Sequence, residues 1–463
     1  MLDLLTGLLL EHLSIVVGFL LAVVGIGAIV RQRRSSQATA AWLLAIVLVP
    51  YVGVPLYLLL GGRKTRKAAE GKQKLHLVMK ETVPLDQASG ADRLFRSYGL
   101  PGATAGNRIR LLPTGEENYA CLMEHIEAAR ESINILTFIL GDDPVGRSVV
   151  QALARKAAAG VQVRLLLDGV GSFETGKRLL KPLRKAGGKV AWFVPLIHRP
   201  FRGRNNLRNH RKITLFDECF ALAGGTNIAR EYMGPTPMPG RWKDLAFALE
   251  GPAVDHYAEI FRSDWRFAAK EDIELHPERD EAVPGGVLAQ VVPSGPDVAG
   301  DPLYDAILTA LYTAERRLWL VTPYFVPDEA LASGFRAAAR RGIDLRILVP
   351  ERSNHRLADY ARGTYLREIQ DLGGKVLLYE PGMVHAKAAL IDHDIVAIGS
   401  ANLDLRSFFL NYEVALFAYG PKVVADTEAW MEGLFARCRD RMPAPGTFRD
   451  TLEGLVRLVD PLL

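Results

Sequence analysis

The chain has 463 residues, 49% of them hydrophobic and 24% charged, with a formal net charge of +5 and a mean hydropathy of +0.08. It is longer than one domain usually needs and long enough for two ordinary cores, so a single small domain is excluded. The positive balance favours anionic partners, for which nucleic acid and anionic lipid both qualify. Three widely separated cysteines, Cys121, Cys219 and Cys438, exclude a CxxC zinc or redox centre and read as free, small core residues, consistent with a reducing compartment.

Two uncharged runs open the chain, 18 residues from Leu13 to Val30 and 21 from Ala40 to Leu60. Each is long enough to cross a bilayer core, which takes roughly 20 apolar residues as a helix. The competing readings are a signal peptide and a buried core hairpin. A signal peptide starts with basic residues, whereas here no Lys or Arg precedes Arg31, and a second run follows almost at once. A transmembrane helical hairpin over residues 1–62 is therefore expected. Pro50 and Pro55 are compatible with it, because neighbouring membrane helices satisfy the freed backbone groups.

Arg31, Arg33 and Arg34 lie between the runs, and Arg63, Lys64, Arg66, Lys67, Lys72 and Lys74 follow the second. The two clusters pull the orientation in opposite directions. The larger one argues for a cytoplasmic catalytic region on an inner membrane. Residues 63–107 read as a basic linker, either solvated or laid against anionic headgroups at about 1 kcal/mol per charged residue. The Gly, Pro and Ser content of residues 84–106 supports linker character.

An internal repeat follows. Arg108 to Leu112 reads as a strand before a Pro-Thr-Gly turn, then a helical pattern to Arg130, a strand at Ile133–Leu140, a helix at Val149–Ala159 and a strand at Val161–Leu167. The later part repeats this plan. A strand at Ala289–Val292 and a Pro-Ser-Gly turn precede a helix through Ala314, a strand at Leu318–Thr322, a helix at Ala330–Arg341 and a strand at Leu345–Val349. Such alternation predicts α/β half-domains, 108–277 and 287–463, each a mostly parallel or mixed sheet with helices on both faces.

Each half carries the same constellation. Asn209-His210-Arg211-Lys212 leads to Asp217 and Asn227, and Val384-His385-Ala386-Lys387 leads to Asp392 and Asn402. In both, the Asp comes seven residues after the His and the Asn seventeen. The alternation His-x-Lys has period two, so on a strand both side chains share a face and can meet one ligand. An imidazole beside an ammonium suits an anionic group such as phosphate. One such tripeptide is common in a basic protein, but two with matched Asp and Asn spacing define a site.

At this point the chain resembles the phospholipase D superfamily, whose signature is the doubled motif, and within it the membrane-anchored bacterial cardiolipin synthases. Pro50-Tyr51-Val52-Gly53 through Tyr57 to Gly61-Gly62-Arg63 is similar to their second membrane segment. The resemblance implies two phospholipase D-like α/β half-domains packed about a pseudo-twofold axis behind the membrane hairpin, with both motifs in one site. Lys212, Lys387, Asn227 and Asn402 would hold the non-bridging oxygens of a phosphodiester. One His would attack phosphorus while the other acts as acid and base. In the family the first-motif His is usually the nucleophile, which points to His210, with His385 as acid and base; the symmetry of the sequence leaves this choice open. Glu413 matches the family's orienting carboxylate, and Asp244 stands at the equivalent place of the first half; each also reads as a surface acid at a strand start. Asp217 and Asp392 belong to the motif and read as supports of its loop. No metal or cofactor is required.

The implied reaction is phosphatidyl transfer between two phosphatidylglycerol molecules, giving cardiolipin and glycerol, with phosphatidylglycerol and the bilayer as partners and no nucleic acid. Hydrolysis by water, transfer to another alcohol, a membrane-tethered nuclease and a non-catalytic lipid-binding scaffold are the alternatives. Between Arg199 and Lys212, the side chains of Arg199, Arg202, Arg204, Arg208, Arg211 and Lys212 read as a cationic approach to His210 or as a solvated loop. Thr322 to Pro327 matches a site-lining loop of relatives, although its Tyr and Phe also suit a core. Residues 451–463 read as a weakly amphipathic helix for membrane contact or for packing.

Overall fold

The computed structural model describes residues 16–20, 22–27, 29, 36–60, 72–78, 82–85, 88–194, 207–274 and 286–459. The first half contributes strands β1 (Thr104–Leu112), β2 (Ser132–Thr137), β3 (Gln162–Asp168), β4 (Lys189–Phe193), β5 (Ile213–Phe216), β6 (Phe220–Gly224) and β7 (Ala246–Glu250). The second contributes β8 (Val287–Ser294), β9 (Arg317–Val321), β10 (Phe325–Val326), β11 (Asp344–Pro350), β12 (Lys375–Tyr379), β13 (Ala388–Ile391), β14 (Ile395–Gly399), β15 (Leu403–Asp404), β16 (Glu413–Tyr419) and β17 (Cys438–Asp440).

Fifteen of these form one continuous sheet in the order β17-β12-β11-β9-β13-β14-β16-β8-β1-β7-β6-β5-β2-β3-β4. The pairings β2/β3, β3/β4, β9/β11 and β11/β12 are parallel, joined by crossover helices, and the strands nearer the centre are antiparallel. The halves do not keep separate sheets. Their inner edges meet where β1 pairs antiparallel with β8, which removes two edges that would otherwise expose unpaired backbone groups. Strands such as β13, Ala388-Ala389-Leu390-Ile391, are buried on both faces, which is why they read as unbroken apolar runs.

Helices cover both faces. On one, Val254, Tyr257, Phe261 and Trp265 of helix Ala253–Ala269 and Met431 and Leu434 of helix Pro421–Phe435 share a core with strands of both halves. On the other, each half has its own core. Helices Gly115–Ala128 and Pro144–Ala158 pack over the first half, and Pro302–Thr313 and Glu329–Arg340 over the second. Helix starts follow local chemistry. Thr114 accepts the Glu117 N–H at 3.2 Å, and Asp143 accepts two N–H groups ahead of a helix with Pro144 in its first turn.

The N-terminus departs from the expected pair of spans. Part of Leu13–Val30 lies outside the described residues, and Ala40–Leu60 is not one helix: Ser36–Leu48 and Pro50–Leu60 are separate. Pro50 has no N–H and disfavours helical geometry at Val49, so the chain turns back there. The return packs Trp42 edge-to-face against Tyr57 with ring centroids 5.2 Å apart. Among the described residues no helix is long and apolar enough to cross a membrane.

Other differences are local. The expected linker holds helix Gly90–Ser97, capped by Ser89 and anchored by buried Phe95. Lys72 is not free for lipid headgroups; it is buried against Asp264 at 2.9 Å and against Asp297. Cys121 is buried, but Cys219 is exposed. The C-terminal segment forms helix Thr447–Val459, whose Glu453 pairs with Arg367 of helix Arg356–Asp371.

Candidate active site

Neither His-x-Lys lies within a strand. Each occupies the extended residues just ahead of one, β5 or β13, where the backbone is free to pair with the opposite half. Asn209 bridges to Tyr412: the His210 N–H donates to the Tyr412 carbonyl at 2.9 Å, and the Tyr412 N–H to Arg208 O at 2.9 Å. The second motif repeats this with Lys243 bridging to Val384. Its N–H donates to Met383 O at 2.8 Å, and the His385 N–H to Lys243 O at 2.6 Å.

Each bridge delivers a carboxylate to the facing imidazole. Glu413, next to Tyr412, lies 3.0–3.1 Å from His210 Nδ1. Asp244, next to Lys243, lies 2.6 Å from His385 Nδ1. Orientation therefore crosses the halves: the first histidine is held by the second half's carboxylate, and the second by the first half's. Each carboxylate is itself positioned. Ser400 Oγ and Asn411 Nδ2 donate to Glu413, the latter at 3.2 Å. Asp244 Oδ1 accepts the Leu245 N–H at 2.8 Å and abuts Gly225, where any Cβ would lie 2.2 Å from that oxygen.

Lys212 Nζ donates to His210 O at 2.6 Å, and Lys387 Nζ lies 2.8 and 3.0 Å from the ring nitrogens of His385. Asn227 Oδ1 accepts the Ile139 N–H at 3.1 Å, and Asn402 lines the same cavity as Lys387. Aromatic rings wall the imidazoles, Phe138 at 4.9 Å from His210 and Tyr232 and Trp242 at 5.0 and 5.6 Å from His385. These three were not singled out from the sequence, where the only cue was that Trp242 precedes the Lys-Asp pair of the bridge.

The electrostatics follow from burial. Burial, aided by Lys212, holds His210 below the ordinary imidazole range despite Glu413. Burial and the Lys387 ammonium push His385 down to about 3. Burial brings Lys387 down to about 8 and Lys212 well below its usual range. For Asp244 and Glu413, burial pushes upward but is outweighed by the facing histidine and lysine, so both stay low. The resting site thus has neutral imidazoles whose Nδ1 faces an ionised carboxylate, with the Lys387 Nζ 3.0 Å from Nε2 of His385.

Asp217 and Asp392 are directed away from the imidazoles. Each caps the turn after its strand, accepting the N–H groups of residues 130–132 and 315–317 respectively. Of the expected cationic approach, Arg199, Arg202 and Arg204 lie outside the described residues. Arg208 and Arg211 do not face solvent. Arg208 is buried and donates to Val194 O at 3.0 Å. Arg211, between His210 and Lys212, alternates to the opposite side, where it and Lys72 meet Asp264 and Asp297 in a buried network. A buried guanidinium requires such partners. In the Thr322–Pro327 loop, Phe325 enters the core, while the Tyr324 hydroxyl donates to Asn354 at 2.6 Å.

Two pseudo-equivalent α/β halves that each set a buried histidine beside a lysine and against the other half's carboxylate have the arrangement of a phospholipase D-type protein. The cardiolipin synthase, PLD-like domain family matches residues 122–265 and 307–435, and the phospholipase D-nuclease N-terminal family matches residues 20–62. Cardiolipin synthase A of Pseudomonas aeruginosa is 34% identical over 99% of this chain and 96% of its own length. Cardiolipin synthase 1 of Bacillus cereus is 31% identical over 96% of this chain and 92% of its own. Phosphatidylserine synthase of Haemophilus influenzae shares the fold at a TM-score of 0.61 with 15% identity, over 81% of this chain and all of that one. The chain belongs to the cardiolipin synthase family of the phospholipase D superfamily.

Proposed function

We propose that this chain joins two phosphatidylglycerol molecules into cardiolipin and glycerol through a phosphohistidine on His210. The observation that carries the reading is the crossed pairing of two neutral, buried imidazoles with carboxylates of opposite halves, each beside a buried lysine. Lys212, Lys387, Asn227 and Asn402 hold the phosphate's non-bridging oxygens, and the bound anion raises His385 back toward the protonated form while His210 stays neutral. His210 Nε2 attacks phosphorus as the bond to the headgroup glycerol breaks, and protonated His385 gives its proton to the leaving oxygen. His385 then takes the proton of a second phosphatidylglycerol hydroxyl. That oxygen attacks phosphorus and releases His210. Glu413 and Asp244 orient the two rings, and Asp217 and Asp392 support the motif turns.

The N-terminal helices are the proposed membrane anchor on the inner membrane, with the catalytic halves cytoplasmic. Twelve of the nineteen exposed large apolar side chains among the described residues fall within residues 16–52, and a surface of that kind calls for a bilayer or a partner to cover it. The pair of helices turned back at Val49 seats those apolar residues in the membrane.

Purified protein in detergent, incubated with labelled phosphatidylglycerol, is expected to yield cardiolipin and glycerol, and His210→Ala to yield neither. Phosphatidic acid as the sole product would replace transfer with hydrolysis. Absence of lipid turnover in the wild type would overturn the reading.

A further inference from the structure

Among the described residues from 88 onward only five large apolar side chains are exposed: Val170, Phe173, Met238, Tyr312 and Leu357. Three of them follow β3 and β11 at the sheet end that carries the two-histidine site, Val170 and Phe173 in the loop leaving β3 and Leu357 in the first turn of helix Arg356–Asp371, after the loop leaving β11.

The first loop leaves β3 at Asp168, whose carboxylate accepts the Asn209 N–H at 2.9 Å, next to His210. The same carboxylate accepts the Val170 and Gly171 N–H groups at 2.8 and 3.0 Å. Ser172 Oγ donates to Phe138 O at 2.8 Å, and the Phe138 ring faces His210. Thr175 Oγ1 donates to Leu140 O. The loop is thus fixed, with its small polar residues Ser172 and Thr175 buried while Val170 and Phe173 stand outward, Phe173 at 63% exposure. That is the reverse of a loop built to face water.

The second loop is fixed in a comparable way. The Ser353 N–H donates to Asp359 Oδ2 at 2.9 Å, the His355 N–H donates to Ser353 Oγ at 3.0 Å, and Asn354 accepts from Tyr324. Leu357, two residues on from His355, is 61% exposed. Around these apolar tips stand exposed Lys177, Arg178, Arg352 and Arg356, with the exposed carboxylates Glu174 and Asp142 beside the first loop, the latter paired with Arg147.

We propose that this rim is a bilayer-docking face. Val170, Phe173 and Leu357 enter the acyl boundary of an anionic membrane, and the four cations meet its headgroups, so that the mouth of the site opens onto the lipid plane. Apolar tips ringed by Lys and Arg are the combination that both buried area and headgroup charge reward. The inference rests on the reading of the substrate as a membrane lipid, and it explains how a buried site reaches that lipid without lifting it into water.

The test uses the full chain in nanodiscs containing phosphatidylglycerol. Phe173→Asp with Leu357→Asp is expected to lower phosphatidylglycerol turnover about tenfold or more, while hydrolysis of water-soluble bis(4-nitrophenyl) phosphate stays within about twofold of wild type. Phe173→Trp with Leu357→Trp is expected to keep lipid turnover and to add fluorescence, over the wild-type background, that brominated phosphatidylglycerol quenches. Unchanged lipid turnover in the Asp variant, an equal fall on both substrates, or no added quenching in the Trp variant would each overturn the proposal. A wild type that fails to turn over phosphatidylglycerol, with quenching intact, would overturn the proposed function and leave the docking face standing.

Discussion

At the scale of single residues the site is governed by desolvation. A lysine buried beside a neutral imidazole loses part of its preference for the ammonium form, and Lys387 is brought down to about 8 against the pull of Asp244 and Glu413. The sign is definite: the group is charged below that value and loses its charge as pH rises through it. Since Lys387 is proposed to hold a phosphate oxygen, kcat/KM for phosphatidylglycerol is expected to fall on the alkaline side near pH 8. Lys387→Arg, whose guanidinium stays charged, is expected to move that limb upward at a lower absolute rate. An alkaline limb indifferent to the substitution would remove Lys387 from the phosphate contacts. The types and spacing of these residues were readable from the sequence, because a period-two tripeptide and a fixed offset to Asp and Asn survive as pattern.

At the scale of elements, the motif aspartates show how a signature residue can serve the turn rather than the reaction. Asp217 and Asp392 both have a φ of +49°, a left-handed geometry that Asp tolerates better than most residues, and both gather the N–H groups of a neighbouring strand's approach. Asp392→Ala removes an acceptor shared by three backbone donors and is expected to cost roughly 2–3 kcal/mol in denaturant unfolding, with kcat of the folded fraction within about threefold of wild type. A large loss of kcat at unchanged stability would give this carboxylate a part in the chemistry. Strands and helices of both halves fell close to their expected positions, since long apolar runs and 3.6-residue periodicity are local signals. The N-terminal elements did not. Hydropathy counts apolar residues along the chain and is blind to a turn at Val49-Pro50 that packs Trp42 edge-to-face against Tyr57.

At the scale of the whole molecule, the fusion of two sheets through β1 and β8 is what makes a single site. Each histidine depends on a carboxylate more than 140 residues away in sequence, 203 for His210 with Glu413 and 141 for His385 with Asp244. Asp244→Asn is expected to lower kcat about 10²-fold with little change in KM, and adding it to His385→Ala to cost almost nothing further, because the carboxylate acts through that ring. Additive losses in the double mutant would separate the two. The Lys72–Arg211–Asp264–Asp297 network has the same whole-molecule character. It ties the segment after the N-terminal helices to the residue between His210 and Lys212.

The sequence by itself determined the chemistry: two copies of His-x-Lys with matched Asp and Asn, on two α/β repeats, behind an apolar N-terminus. Residue type, spacing and periodicity are properties of the chain and need no partner. Only the tertiary structure decided which carboxylate faces which histidine, that Arg211 and Lys72 are interior counter-ions and not cations open to a lipid headgroup, and that Val170, Phe173 and Leu357 stand outward after β3 and β11. Those facts depend on which surfaces are brought together and dried by packing. Burial of a charge selects its partner by distance in space, and distance in space across some 200 residues is not written in any local pattern.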